Sequence, residues 1–214
     1  MIHSLIHVLL VLLMPPLLQG IIAKTKAAFA GRVGPPVLQP YYDVIKLMQK
    51  GSLFSKTTTW VFLAGPAVSL ATALVASLLV PFGGHAAPFS FQGDLIVLAY
   101  LFALSRFFTA SAALDTGSAF EGMGAAREVT YACLAEPALF LGFLVLAKLA
   151  DSLSLTDMLS NSLRDKWAVG GGSLVLVGVS MFIVLLVENC RIPFDDPNTH
   201  LELTMIHVVM VLDH

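Results

Sequence analysis

WVFLAGPAVSLATALVASLLV, the stretch Trp60–Val80, carries no charged side chain. A helix rises about 1.5 Å per residue, so such a run covers roughly 30 Å, the thickness of a bilayer's hydrocarbon core. Its apolar residues are continuous rather than alternating, which excludes the strand of a membrane β-barrel. The same pattern recurs over Ile2–Ala23, Leu95–Leu114, Thr130–Ala150 and Ala168–Val187. A sixth apolar run starts near Leu201 and reaches only His214, short of the roughly 20 residues a span needs. The expected fold is all-α and polytopic, a single transmembrane domain over residues 1–214 with five complete spans and a truncated sixth. The chain reads as incomplete at its C-terminus.

Composition agrees. Of 214 residues, 57% are hydrophobic and 12% charged, and the mean hydropathy is +0.84. Soluble domains carry about 25% charged residues, so a soluble enzyme and a disordered chain are both excluded. A net charge of −2 offers nucleic acid no basic field. Cys133 and Cys190 form no CxxC motif, so this chain alone holds neither a structural zinc nor an iron–sulfur cluster. The first span is not a signal peptide, because no basic segment precedes it and Lys24 and Lys26 follow it. Pro15 and Pro16 predict a kink near its centre.

Alternating the spans puts loops 24–59, 115–129 and 188–200 on one side. Those loops hold Lys24, Lys26, Arg32, Lys46, Lys50, Lys56, Arg127 and Arg191, against Lys148, Arg164 and Lys166 opposite. The excess of basic residues marks the first side as cytoplasmic and leaves the N-terminus outside. Within the first loop, Pro40 near the start and Gly51 beyond the end bound a short helix. Tyr41, Val44, Ile45 and Met48 share one face, so the helix is amphipathic and lies along the membrane interface. It serves either as a surface anchor or as a docking surface for a soluble partner.

Ionisable residues inside spans are costly and mark functional candidates. Arg106 in the third span and Glu136 in the fourth approach the same loop, so they are placed to pair across adjacent helices. That pair reads either as a structural ion pair or as a proton-relay carboxylate tuned by its arginine. Glu121 and Glu128 flank Arg127, with Asp115 before them. Glu188, Arg191, Asp195, Asp196 and Glu202 form a second cluster, stiffened by Pro193 and Pro197. Together these carboxylates suggest a funnel that collects protons. His200, His207 and His214 return to one helix face, but each step rises about 10.5 Å, too far for two to share a metal. His3 and His7 are spaced i, i+4 without further ligands nearby in sequence.

Three segments carry a resemblance: GRVGPPVLQPYYDVIKL at Gly31–Leu47, AFEGMGAARE at Ala119–Glu128 and ENCRIPFDDPNTHLEL at Glu188–Leu203. In that order, all on the expected cytoplasmic side, they resemble the membrane-anchor subunit shared by respiratory complex I (the subunit 1, or H-type, protein) and the group 4 NiFe hydrogenases. The form DDPNTHLELTM at Asp195–Met205 is more similar to the hydrogenase branch, of formate hydrogenlyase type, than to the quinone-reducing branch. The resemblance implies a non-catalytic anchor and coupling subunit of a multisubunit oxidoreductase in a prokaryotic cytoplasmic (inner) membrane. It implies Arg32, Gln39, Asp43, Lys46 and Arg191 as docking residues. It implies Glu121, Glu128, Glu136, Glu188, Asp195, Asp196 and Glu202, with Arg106, as the proton-coupling set.

No cofactor is expected on this chain. The NiFe centre and iron–sulfur clusters are expected on partners: the hydrogenase large and small subunits and iron–sulfur subunits, beside an antiporter-like membrane subunit and lipid. Two departures stand out. The last spans of the family are missing, and Val208 occupies a position after His207 where an acidic residue is expected. The alternative function is the H-type protein of complex I, contributing to a quinone chamber. A self-sufficient ion transporter would show inverted repeats, and the sequence displays none.

Overall fold

The computed structural model describes residues 2–51, 57–82, 84–159, 167–191, 194–195 and 210. The chain divides into two compact units, Met1–Phe54 and Ser55–His214. Among the described residues there is no strand, only an isolated bridge between Phe82 and His85.

The first unit holds α1 (Ile2–Phe29) and α2 (Gln39–Met48). Helix α1 continues through Pro15 and Pro16 and runs past the apolar segment to include Lys24 and Lys26. Basic residues suit that end, where the backbone carbonyls leave partial negative charge. Gly31 then takes a left-handed conformation, φ 67°. It lets the Gly31 and Arg32 amides donate to the Ala28 and Ala27 carbonyls at 3.1 and 2.9 Å, closing the helix as a Schellman motif. The chain folds back on α1, close enough at Gly20 that a Cβ there would overlap the Val37 carbonyl. Helix α2 opens with proline in its first turn, and its Tyr41 hydroxyl donates to the Leu13 carbonyl of α1.

The second unit contains α3 (Trp60–Leu79), α4 (Asp94–Asp115), α5 (Ala119–Ala150), the single turn α6 (Leu155–Met158) and α7 (Trp167–Glu188). With α1, its four long helices make five that are long and apolar enough to cross a membrane. Thr59 caps α3 by accepting from the Val61 amide at 3.3 Å. Its own amide and hydroxyl donate to the two carboxylate oxygens of Asp115, at 2.6 and 2.8 Å, tying the start of α3 to the end of α4. Between those helices the backbones come close. A Cβ added at Gly65 would stand 2.8 Å from the Ala112 Cβ, the small-residue contact by which membrane helices gain packing.

A second boundary differs from the expectation. Helix α5 begins at Ala119, so only 116–118 connect it to α4 and the expected loop over 115–129 is mostly helical. Hydropathy ends a span where charge begins, but Glu121, Arg127 and Glu128 are good helix formers and the backbone ladder continues through them. The expected sixth span lies outside the described residues except Met210, which is buried against Ala113 and Ala125.

An apolar core gathers at the far end of this unit from Ala76 and Leu79 of α3, Leu95 and Leu98 of α4, Leu146 and Ala147 of α5, α6 and Val177 of α7. Asp94 sits inside it, fully buried. Its carboxylate accepts from the Leu155 amide at 2.8 Å and the Ser154 hydroxyl at 3.3 Å. Ser90 meets Ser154 at 3.1 Å and Thr156 accepts from the Ala87 amide at 3.3 Å, so the two loops are stitched together around that carboxylate. Removing it would strand buried donors. We expect Asp94→Ala to cost about 1–3 kcal/mol, read as a lowered unfolding midpoint in detergent, with Asp94→Asn losing less because its amide oxygen still accepts.

Candidate coupling site

Three helices converge on one guanidinium. Arg106 lies within α4, and its Nη1 donates to Glu136 of α5. Its Nη2 donates to both carboxylate oxygens of Glu188, the last residue of α7, at 2.9 and 2.7 Å. Glu128 of α5 completes the cluster, with its Oε1 4.0 Å from Nε. Glu128 and Glu136 are two helical turns apart, about 12 Å along the axis, so both glutamate side chains lean toward the guanidinium, whose Nε and Nη1 they meet. Three carboxylates thus share one arginine in these contacts.

The cluster faces a cavity of about 560 Å³, whose polar lining is Ser105, Arg106, Thr109, Glu128, Glu136 and Glu188. Apolar side chains of α7 and Met210 supply much of the remaining wall. A second space of about 530 Å³ runs along α4 and α5 toward Leu95 and Leu153 as an open groove, with Ile96, Tyr100 and Leu144 exposed along it. It is almost wholly apolar, and Glu136 belongs to both spaces. That carboxylate thus stands where the charged chamber meets a greasy groove.

Other expected residues fall elsewhere. Glu121 is buried in the first turn of α5. Asp195 is buried and borders a small space with Glu128, Glu188 and Cys190, which links the second acidic cluster to the Arg106 group. Arg191 is exposed. On α2, the Gln39 amide donates to Asp43 at 3.0 Å, so those two are already joined along one face, while Arg32 and Lys46 are exposed. Asp196, Glu202, His200, His207 and His214 lie outside the described residues. Among the described residues no group of His, Cys, Asp and Glu is arranged to hold a metal ion.

Sequence reasoning placed Arg106 against Glu136. It did not see Glu128 and Glu188 on the same guanidinium, because the end of α7 coming within reach of Arg106 is a tertiary fact. Asp94 was also missed, although an acidic residue just after Gly93 at the mouth of a span is a legible helix start.

A sequence profile of the NADH dehydrogenase family matches residues 2–209. The chain belongs to that family. It is 37% identical over 202 residues to hydrogenase-4 component C of Escherichia coli strain K12, covering 94% of this chain and 64% of that protein. It is 36% identical over 194 residues to formate hydrogenlyase subunit 4 of the same strain, covering 90% of the chain and 62% of that relative. NADH-quinone oxidoreductase subunit 8 of Thermus thermophilus is 32% identical over 186 residues, covering 80% of this chain and 49% of that protein. The chain thus spans less than two-thirds of the length of each of these relatives. A solved archaeal respiratory membrane complex, the membrane-bound sulfane sulfur reductase, contains a chain of the same fold. The TM-score is 0.77 at 21% identity, over 99% of this chain and 72% of that one. Five apolar helices and this family membership identify a multi-pass membrane protein.

Cys190 lies beside the cluster, just beyond α7. Burial, then the charges of Glu128, Asp195 and Glu188, push its thiol up from an ordinary 9.0 to about 11. The neutral thiol is the form that persists as pH rises until that value is approached. Its thiolate fraction at pH 8 is then about 100-fold below that of an ordinary thiol. We expect iodoacetamide to label Cys190 slower by that factor in solubilised protein, with the rate recovering as pH climbs toward 11; fast labelling at pH 8 would contradict the burial.

Proposed function

We propose that this chain is the membrane-anchor and coupling subunit of an energy-converting NiFe hydrogenase complex of formate hydrogenlyase type. The observation that carries the reading is the Arg106 cluster. Three carboxylates from two helices meet one arginine of a third, in a chain whose relatives include hydrogenase-4 component C and formate hydrogenlyase subunit 4. Carboxylates gathered on one guanidinium can take up and release a proton while the arginine keeps its charge. Glu136 is the inner member, Glu128 and Glu188 the intermediate ones, and Asp195 leads out of the cluster. Glu121, and Asp196 and Glu202 in the sequence after α7, complete the proposed proton-coupling set.

In this reading the loop after α1 and the segment after α7 lie on the cytoplasmic side, with the N-terminus outside. Arg32, Gln39, Asp43, Lys46 and Arg191 dock the soluble arm. The large and small hydrogenase subunits and the iron–sulfur subunits carry the NiFe centre and clusters, and an antiporter-like subunit receives the coupling in the membrane. This chain contributes no redox group. Its similarity to NADH-quinone oxidoreductase proteins supports the second reading, a complex I anchor bordering a quinone chamber, and quinone-dependent turnover of the purified complex distinguishes the two.

Two measurements test the proposal. A tagged chain purified from its native membrane is expected to bring down NiFe and iron–sulfur subunits, and recovery without any redox partner would overturn the assignment. Glu136→Gln keeps the size and one acceptor of the side chain while removing its acid. It is expected to leave assembly intact and lower coupled turnover by about 10²-fold or more, the range of acid–base groups. Loss of assembly in parallel would instead mark a structural ion pair.

A further inference from the structure

Next to the charged cavity lies a hydroxyl chain that the carboxylate reading does not use. The Ser105 hydroxyl donates to the Ser69 hydroxyl at 3.3 Å. Ser69 and Thr109 hydroxyls are 2.8 Å apart, and either can be the donor. Thr109 in turn donates to the Ser105 carbonyl at 2.9 Å. Ser105 and Thr109, on α4, both line the cavity that contains Arg106, whereas Ser69 belongs to α3 behind it. The chain leaves the cavity at Ser105, crosses to the neighbouring helix and returns at Thr109.

Resting on the coupling role proposed above, we infer that Ser105, Ser69 and Thr109 form a bypass that carries a proton past Arg106, one turn or about 6 Å along α4. A guanidinium has donors only and keeps its charge, so it can neither accept nor relay a proton, and its field repels one passing close by. A hydroxyl both donates and accepts. The contrast with Thr72 shows that Ser69 is more than a small residue at a helix contact. Thr72 lies about one turn on, and its hydroxyl folds back on its own helix, to the Val68 and Ser69 carbonyls at 2.8 and 3.0 Å. Ser69 instead reaches across. The close approach at Gly65 and Ala112, one turn away, brings α3 near enough for that reach.

The transfer balances. A protonated carboxylate of the cavity gives its proton, through a cavity water, to the Ser105 oxygen as the Ser105 proton passes to Ser69. The Ser69 proton passes to Thr109, and the Thr109 proton, turned away from the Ser105 carbonyl, leaves to a carboxylate or water of the cavity. Each oxygen gains one O–H bond and loses one, no electrons move, and the three hydroxyls rotate back before the next transfer.

The decisive variant is Ser69→Ala, because Ser69 does not line the cavity and its removal leaves the Arg106 cluster in place. The test uses the intact complex, purified from native membrane and reconstituted in liposomes, and measures protons moved per electron transferred with a pH-sensitive dye. Ser69→Ala is expected to lower that ratio about tenfold, a modest share of what acid–base groups contribute, and Ser69→Thr, which keeps the hydroxyl, to restore it. Thr109→Val preserves volume and should match Ser69→Ala; it decides the matter if the alanine variant fails to assemble. A wild-type ratio in Thr109→Val, with Glu136→Gln impaired, overturns the bypass while leaving the coupling role standing. A wild-type ratio in Glu136→Gln as well overturns both.

Discussion

An arginine in a membrane span is tolerated only when its charge is answered, and Arg106 is answered by carboxylates on two other helices. That requirement fixes how α4, α5 and α7 meet. Nη1 and Nη2 point in different directions, so Glu136 and Glu188 satisfy the same guanidinium only if their helices flank α4 at the right depth. The cavity beside the cluster follows from it, because long polar side chains stand where apolar ones would have interdigitated. Stability and the proposed coupling therefore depend on the same contact. A pair held this way contributes less to folding than its geometry suggests, since desolvation offsets much of the attraction. Its value lies in keeping charge at a defined place.

The opposite end of the second unit is built differently. Apolar side chains from α3 to α7 close around Asp94, whose carboxylate is consumed by an amide and a hydroxyl. No cation faces it in those contacts, and backbone and hydroxyl donors suffice to hold a carboxylate in place. One end is thus a charged chamber with volume to spare, and the other a packed seal stitched by short polar bonds.

The spans were legible because a soluble fold rarely tolerates an uninterrupted apolar run of membrane length, and α2 was legible from Pro40 near its start and Gly51 past its end. The start of α5 was not, since charge at Glu121, Arg127 and Glu128 interrupts hydropathy without interrupting backbone hydrogen bonding. Arg106 and Glu136 could be paired from sequence because each needs a partner in an apolar setting. The Ser69, Ser105 and Thr109 hydroxyls could not, because serine and threonine are common in membrane helices and usually satisfy themselves within one turn. Only the approach of α3 to α4 at Gly65 separates these three from the rest.

Helix α5 is 32 residues long, about 48 Å, some 18 Å more than a bilayer's hydrocarbon core. It is a post rather than a rung. An axial push or a twist applied to its charged first turns would travel along one continuous helix to Glu136, where Pro137 leaves the Cys133 carbonyl without its ladder amide and makes a natural point of flexure. A mechanical input and an electrostatic output could therefore share one element, the lever and the switch being the same helix.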